Sequence, residues 1–393
     1  MLWINFLHLY QPANTDAVNI KEATEASYLR IIRALEEHSN LKFTLNISGC
    51  LVLRWKHLQM TDLLNRIKKL VDKGQIELTG SAAYHPLLPL ISKEEAIKQI
   101  KENEKILRKL FGKELKLKGF FMPEMAYGPK TAKIIKKLGY EWIILDEISY
   151  NGKLNQADVN KIYKDKNSGL KIILRTRVLS SSYVPETLNK ILEDTNTDNK
   201  IVITATDGEL YGLRHGDPTA EFEKLLKNKN LETKTISEFM GSKKVTEKIR
   251  PVACNWESTE IELLKKQPYI SWFNKKNKIQ LKLWKLTNLA EKTINKYRDD
   301  DNYYWARWHF VRGLASCTFW WASAKDFSYI FGPLSWNPDE IERGVNELIR
   351  SIRALEDTTT RQTKIKAEKL YIKIKKMVWK KHWTYYWKNN NSN

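Results

Sequence analysis

Cysteine is scarce in this 393-residue chain: Cys50, Cys254 and Cys317 form an odd, widely scattered set of three. That spacing supplies neither a disulfide framework nor a zinc cluster, and it leaves reduced thiols in a cytoplasm as the expectation. Long apolar runs are missing as well. None approaches the ~20 residues that cross a bilayer, so no membrane-spanning segment is expected. The apolar start MLWINFL has no basic leader, and polar LHLYQPAN follows it where a secretory signal would need small residues. It reads as a first core strand. No glycine-rich phosphate turn comes after that strand, which excludes the usual dinucleotide fingerprint.

Acidic residues are the minority sign, 46 against 67 basic, for a net charge of +21. Between Arg361 and Asn393 ten basic residues meet the single acid Glu368, so this basic, aromatic tail carries nine of those charges. Elsewhere lysine is spread among acids, and no nucleic-acid motif accompanies it. The excess therefore reads as a solvated lysine-rich surface and not as a specific nucleic-acid partner. No feature specifies an oligomeric state.

What is abundant is aromatic and apolar surface, with 14 Trp, 17 Tyr and 12 Phe in a chain that is 42% hydrophobic. Such a chain can bury an active site. Strand-like runs recur at 2–7, 42–47, 75–79, 117–122, 141–145, 171–174 and 200–206, with helical stretches between them. Helix starts are marked by Ser92-x-x-Glu95, by Gly128-Pro129 and by Asp217-Pro218. Crossovers of this length imply parallel strands, and the count predicts a (β/α)7-type barrel over residues 1–256. From Glu257 the pattern turns to long Trp- and Lys-rich helices. A C-terminal α-helical domain over 257–393, covering the barrel mouth, is expected there.

Polar groups gather where the predicted strands end. His8, Tyr10 and Gln11 follow the first strand, SAAYHPLLPL (81–90) the third, Glu124 the fourth and DGELYG (207–212) the seventh. Parallel strands bring such groups to one face of a barrel, the face where loops carry chemistry. Alone, Glu124 reads as a solvated loop carboxylate, His8 as a hydrogen-bonded core histidine and His85 as a strand cap. Together, two carboxylates at one mouth suit glycoside cleavage. One attacks the anomeric carbon; the other protonates the leaving oxygen and then deprotonates an acceptor.

The chain resembles glycoside hydrolase family 57, whose members act mainly on α-glucans. His8-Leu9-Tyr10-Gln11-Pro12 is similar to the family's His-x-His-Gln-Pro, with Tyr10 in place of the second histidine. GQIELTGSAAYHPLLPLI (74–91), GFFMPEMAY (119–127), TATDGELYG (204–212) and SCTFWWASAKD (316–326) resemble the other four motifs, the last departing at Cys317 or Thr318. The resemblance implies retaining cleavage or transfer at α-1,4-linked glucans without a cofactor or metal, with Glu124 as nucleophile and Asp207 as general acid/base. Substrate contacts are implied for His8, Tyr10, Gln11, Glu77, His85, Phe121, Glu209, Trp320 and Trp321. Alternation lets Glu77 point into the barrel or outward, and Glu209 either touches substrate or tunes Asp207 by like-charge repulsion. Arg214 and His215 are further candidates for the mouth. Two rival readings are a non-catalytic glucan-binding homologue, which Tyr10 and the altered fifth motif favour, and a metal-dependent polysaccharide deacetylase. The latter lacks a paired-histidine helix.

Overall fold

The predicted runs form strands β1 (Leu2–Leu9), β2 (Phe43–Ile47), β3 (Ile76–Leu78), β4 (Gly119–Phe120), β5 (Trp142–Asp146), β7 (Lys171–Arg175) and β8 (Ile201–Asp207). One strand that periodicity did not reveal, β6 (Ile162–Asp165), precedes β7. The computed structural model describes residues 1–193, 200–328 and 332–386. Two units emerge, Met1–Ala83 with Leu88–Lys266, and Tyr84–Leu87 with Gln267–Asn393.

In the first unit β8, β1, β2 and β3 pair in parallel, and so do β7, β5 and β4. A parallel bridge between Gly80 and Phe120 joins the two sheets, through Gly80 N–H to Gly119 carbonyl and Phe121 N–H to Gly80 carbonyl, each 2.9 Å. Gly80 permits this: a Cβ there would lie 2.2 Å from the Tyr140 hydroxyl. On the other side the Thr176 N–H donates to the Ile203 carbonyl at 2.9 Å, linking the end of β7 to β8. At that seam β6 runs antiparallel to β7 and parallel to the strand Val245–Ile249. The unit is a (β/α)7-type barrel, opened at one seam by an inserted pair of strands.

Because a barrel strand is covered on both faces, β1 is buried at every position after Leu2. Ile4, Phe6, Ile144, Ile173, Ile203 and Ala205 fill the interior, and Ile236, Phe239 and Met240 of the helix Ile236–Gly241 pack against them. Helix boundaries follow local chemistry. Ser92 accepts the Glu95 N–H at 3.1 Å to cap Lys93–Phe111, and Pro129 opens Pro129–Lys137. The helix expected after Asp217-Pro218 starts later, at Glu221–Leu226, because Ala220 takes a left-handed conformation (φ 53°) and Asp217 caps the Glu221 and Phe222 N–H groups. The helical stretch between β1 and β2 is interrupted by a π-helical turn, Thr24–Tyr28.

The second unit is mainly helical: Lys278–Lys296, Tyr303–Gly313, Pro338–Arg353 and Asp357–Lys381 pack on one another, with a short antiparallel pair, Phe327–Ser328 and Gly332–Pro333. The end of the basic tail, 387–393, lies outside the described residues. Among the described residues no helix is long and apolar enough to cross a membrane.

Candidate active site

His8 is the hub. It is the penultimate residue of β1, in register with Asn46 of β2 and Asp207 of β8. Its Nδ1 lies 2.8 Å from Asn46 Oδ1, and the Asn46 amide in turn donates to Thr79 Oγ1 at 3.2 Å. This chain orients the ring with its proton on Nδ1. Burial at 2% exposure lowers its pKa to about 4, against the upward pull of the Asp207 charge and the Asn46 bond, so the ring is neutral at pH 7. Phe121 packs on it at 4.6 Å between ring centroids, Tyr10 stacks at 5.8 Å and Trp256 stands edge-on at 6.2 Å.

Glu124 follows β4 with φ 61° and ψ 19°, and Met125 after it also has positive φ. Left-handed backbone at two consecutive non-glycine residues costs roughly 1–2 kcal/mol each, so neighbouring contacts must hold the turn. Trp256 supplies two: its backbone N–H donates to the Glu124 carbonyl at 3.2 Å and its indole N–H to Glu124 Oε2 at 3.1 Å.

Asp207 is the last residue of β8, and its Oδ2 accepts from Arg214 at 2.8 Å. Two residues on, Glu209 is 1% exposed, and its Oε1 accepts from the Tyr28 hydroxyl and, at 2.9 Å, from Gln11. Burial, reinforced by the charge of Asp207, pushes the Glu209 carboxyl above the usual range. The π-turn makes this packing. It carries Ser27, whose hydroxyl donates to the Glu209 carbonyl at 3.2 Å, and Tyr28 to the same loop. Gly212 (φ 144°) allows the approach, since a Cβ there would sit 2.0 Å from the Ala26 carbonyl oxygen.

Thus His8, Tyr10, Gln11, Phe121, Glu124, Asp207 and Glu209 come together at the C-terminal ends of β1, β4 and β8. Glu77 does not join them. Its side chain does turn inward, but at the opposite end of the strands, where its carboxylate accepts from Thr44 at 3.1 Å and from the Ser237 N–H at 3.0 Å and hydroxyl. There it serves the first turn of Ile236–Gly241, and burial raises its pKa. His85 (φ 56°), Trp320 and Trp321 belong to the second unit, where His85 Nδ1 meets the Ser316 hydroxyl at 2.9 Å and its carbonyl accepts the Ser316 N–H at 2.9 Å. The Tyr84–Leu87 part of the second motif therefore meets the fifth motif within that unit. Trp320 and Trp321 are both half-buried, their rings 4.6 Å apart and edge-on.

Periodicity gave no sign of Tyr28 or Trp256 as site residues: Tyr28 sits in a sequence stretch that reads simply as helical, and Trp256 in a loop without a motif. Both are joined to the site over 181 and 132 residues of chain. No group of three His, Cys, Asp or Glu side chains among the described residues is arranged to hold a metal ion.

The model of glycosyl hydrolase family 57 matches residues 6–257, more than half of the chain. The chain belongs to glycosyl hydrolase family 57. Among its family relatives, an alpha-amylase of Pyrococcus horikoshii is 30% identical over 232 residues, 56% of this chain and 36% of that protein. The curated relatives it matches first are much longer, and the match spans about a third of their length. The 4-alpha-glucanotransferase of Thermococcus litoralis superposes with a TM-score of 0.72 at 18% identity, covering 91% of this chain and 59% of that one. A family 57 branching enzyme of Pyrococcus horikoshii gives 0.69 at 16% identity, covering 94% of each. At these identities the family 57 structures speak for the fold alone.

Proposed function

We propose that this chain cleaves or transfers α-1,4-linked glucans with retention, using Glu124 as nucleophile and Asp207 as general acid/base. The observation that carries the reading is that Glu124 follows β4, three residues after the Phe121 that packs on His8, and Asp207 ends β8 in register with His8, in a family 57 barrel whose relatives include alpha-amylases and 4-alpha-glucanotransferases. Glu124 attacks the anomeric carbon while Asp207 gives its proton to the departing glycosidic oxygen, leaving a glycosyl ester on Glu124. Asp207, now ionised, takes a proton from water or a sugar hydroxyl, which displaces Glu124. The Arg214 ion pair suits that second, proton-accepting form of Asp207. Neutral His8 can contact a sugar hydroxyl without adding charge. Neither step requires a metal, since both carboxylates come from the chain. The three scattered cysteines, with no disulfide spacing, support a reducing, cytoplasmic setting for the reaction.

Incubation with maltooligosaccharides of defined length tests the reading, with products separated by size and the first-formed anomer followed by NMR. Shorter sugars from hydrolysis, or a redistributed ladder from transfer, with the α-anomer formed first, are expected. Binding without turnover would support a non-catalytic homologue, and a first-formed β-anomer would remove the double displacement.

A further inference from the structure

Behind Glu124 lies a buried polar assembly that the double displacement does not name. Asp146, at the end of β5, is fully buried and binds two guanidinium groups, Arg175 through Nε at 2.8 Å and Arg177 through Nη2 at 2.6 Å. Each arginine then reaches the same loop. Arg175 donates to the Trp256 carbonyl at 3.0 Å, and Arg177 to the Ser258 carbonyl at 2.7 Å. A second arm of Arg175 donates to the Ala205 carbonyl of β8 at 2.7 Å. The loop's other side is fixed by an antiparallel bridge in which the Tyr127 N–H donates to the Cys254 carbonyl at 2.8 Å. Residues 254–256 and 124–127 are thus held in one register. In that register the Trp256 indole N–H is directed at Glu124 Oε2. The Arg175 guanidinium also lies over the indole, 5.5 Å from the ring centroid, where a cation draws electron density from the π face and strengthens the N–H as a donor.

Such an assembly is more than packing requires. Burying one carboxylate with two guanidiniums is costly unless every arm is hydrogen-bonded, and these arms end on backbone carbonyls of the loop that carries Trp256. We propose that Trp256, clamped by Arg175 and Asp146, is a positioning residue for the nucleophile: its indole N–H fixes the Glu124 carboxylate and stabilises its ionised form. This rests on the assignment of Glu124 as nucleophile. A donor on Oε2 favours the carboxylate over the neutral acid before attack, and it lowers the basicity of the leaving carboxylate when the glycosyl ester is broken. Other charged or titratable groups on this side are His8 on β1, which faces the Trp256 ring, and the Asp207–Arg214 pair, whose charges act on His8, while Asp146, Arg175 and Arg177 stand behind the indole.

The test replaces Trp256 with benzothienylalanine, which keeps the bicyclic shape but exchanges N–H for sulfur, alongside Trp256→Phe and Arg175→Lys. Glu124 is followed by carbon-13 NMR of labelled glutamate, with its signal identified by its loss in Glu124→Gln. The Glu124 titration should move upward by about half to one pH unit in both Trp256 variants, and less in Arg175→Lys. On aryl α-maltosides kcat should fall about tenfold or more, with KM changed less than about threefold, and the acid limb of kcat/KM should move with the NMR titration. An unmoved titration in the folded benzothienylalanine protein overturns the inference, as does a rise in KM at constant kcat. Glu124→Gln separates the two claims. If it turns over at the wild-type rate, the nucleophile assignment fails; if it is inactive while the Trp256 variants behave as wild type, only the present inference fails.

Discussion

Lowering the pH should weaken the barrel through one side chain, His8. Burial holds this imidazole at a pKa of about 4, against 6.5 when unfolded. The unfolded chain therefore binds a proton that the native state refuses. The stability linked to His8 neutrality is complete above pH 6.5 and is lost as the pH falls toward 4. At about 1.4 kcal/mol per unit, moving from pH 7.5 to pH 5.0 removes about 2 kcal/mol. Glu209 acts in the opposite sense, since its raised pKa contributes stability at low pH that is lost as the pH rises through the folded value. Comparison with His8→Gln cancels that contribution to first order. Amide hydrogen exchange of the β1 peptide, corrected for intrinsic rates, reports the opening of this unit without assuming that both units unfold together. The wild-type advantage over His8→Gln should shrink by about 2 kcal/mol between the two pH values. An advantage constant within about 0.5 kcal/mol would show that His8 is not kept neutral by burial.

Four substitutions probe other parts of the structure. Asp207→Asn should slow cleavage of glucans far more than of activated aryl glycosides, whose leaving groups depart unprotonated; equal losses in kcat/KM would leave Asp207 without an acid role. Glu77→Ala should destabilise the first unit by about 1–3 kcal/mol in exchange or thermal measurements, because the Ser237 N–H and Thr44 hydroxyl lose an acceptor, while KM of the folded protein stays within about twofold. Gly119→Ala should cost at least about 2 kcal/mol, since its Cβ would meet the Trp142 ring at 2.1 Å, whereas Gly216→Ala, with nothing within 4 Å, should be silent in the same melt.

Seven strands, their order and the two carboxylates beyond their ends were legible in the sequence because apolar runs, caps and proline or glycine stops are local signals. Parallel crossovers then carry Glu124 and Asp207 to the same barrel face whatever the loops do. The tertiary structure alone decided the rest. Alternation could say that Glu77 faced inward or outward, but not that the Ser237 N–H would occupy it at the far end of the barrel. β6 and Val245–Ile249 escaped detection because they form a short, partly exposed pair whose partners lie about 80 residues apart in sequence. The Trp256 bond to Glu124 and the Tyr28 bond to Glu209 exist only once distant segments pack. Hydrogen bonds of that range leave no period in a sequence, since each depends on the direction of one donor in a finished fold and not on the spacing of apolar residues along a strand or helix.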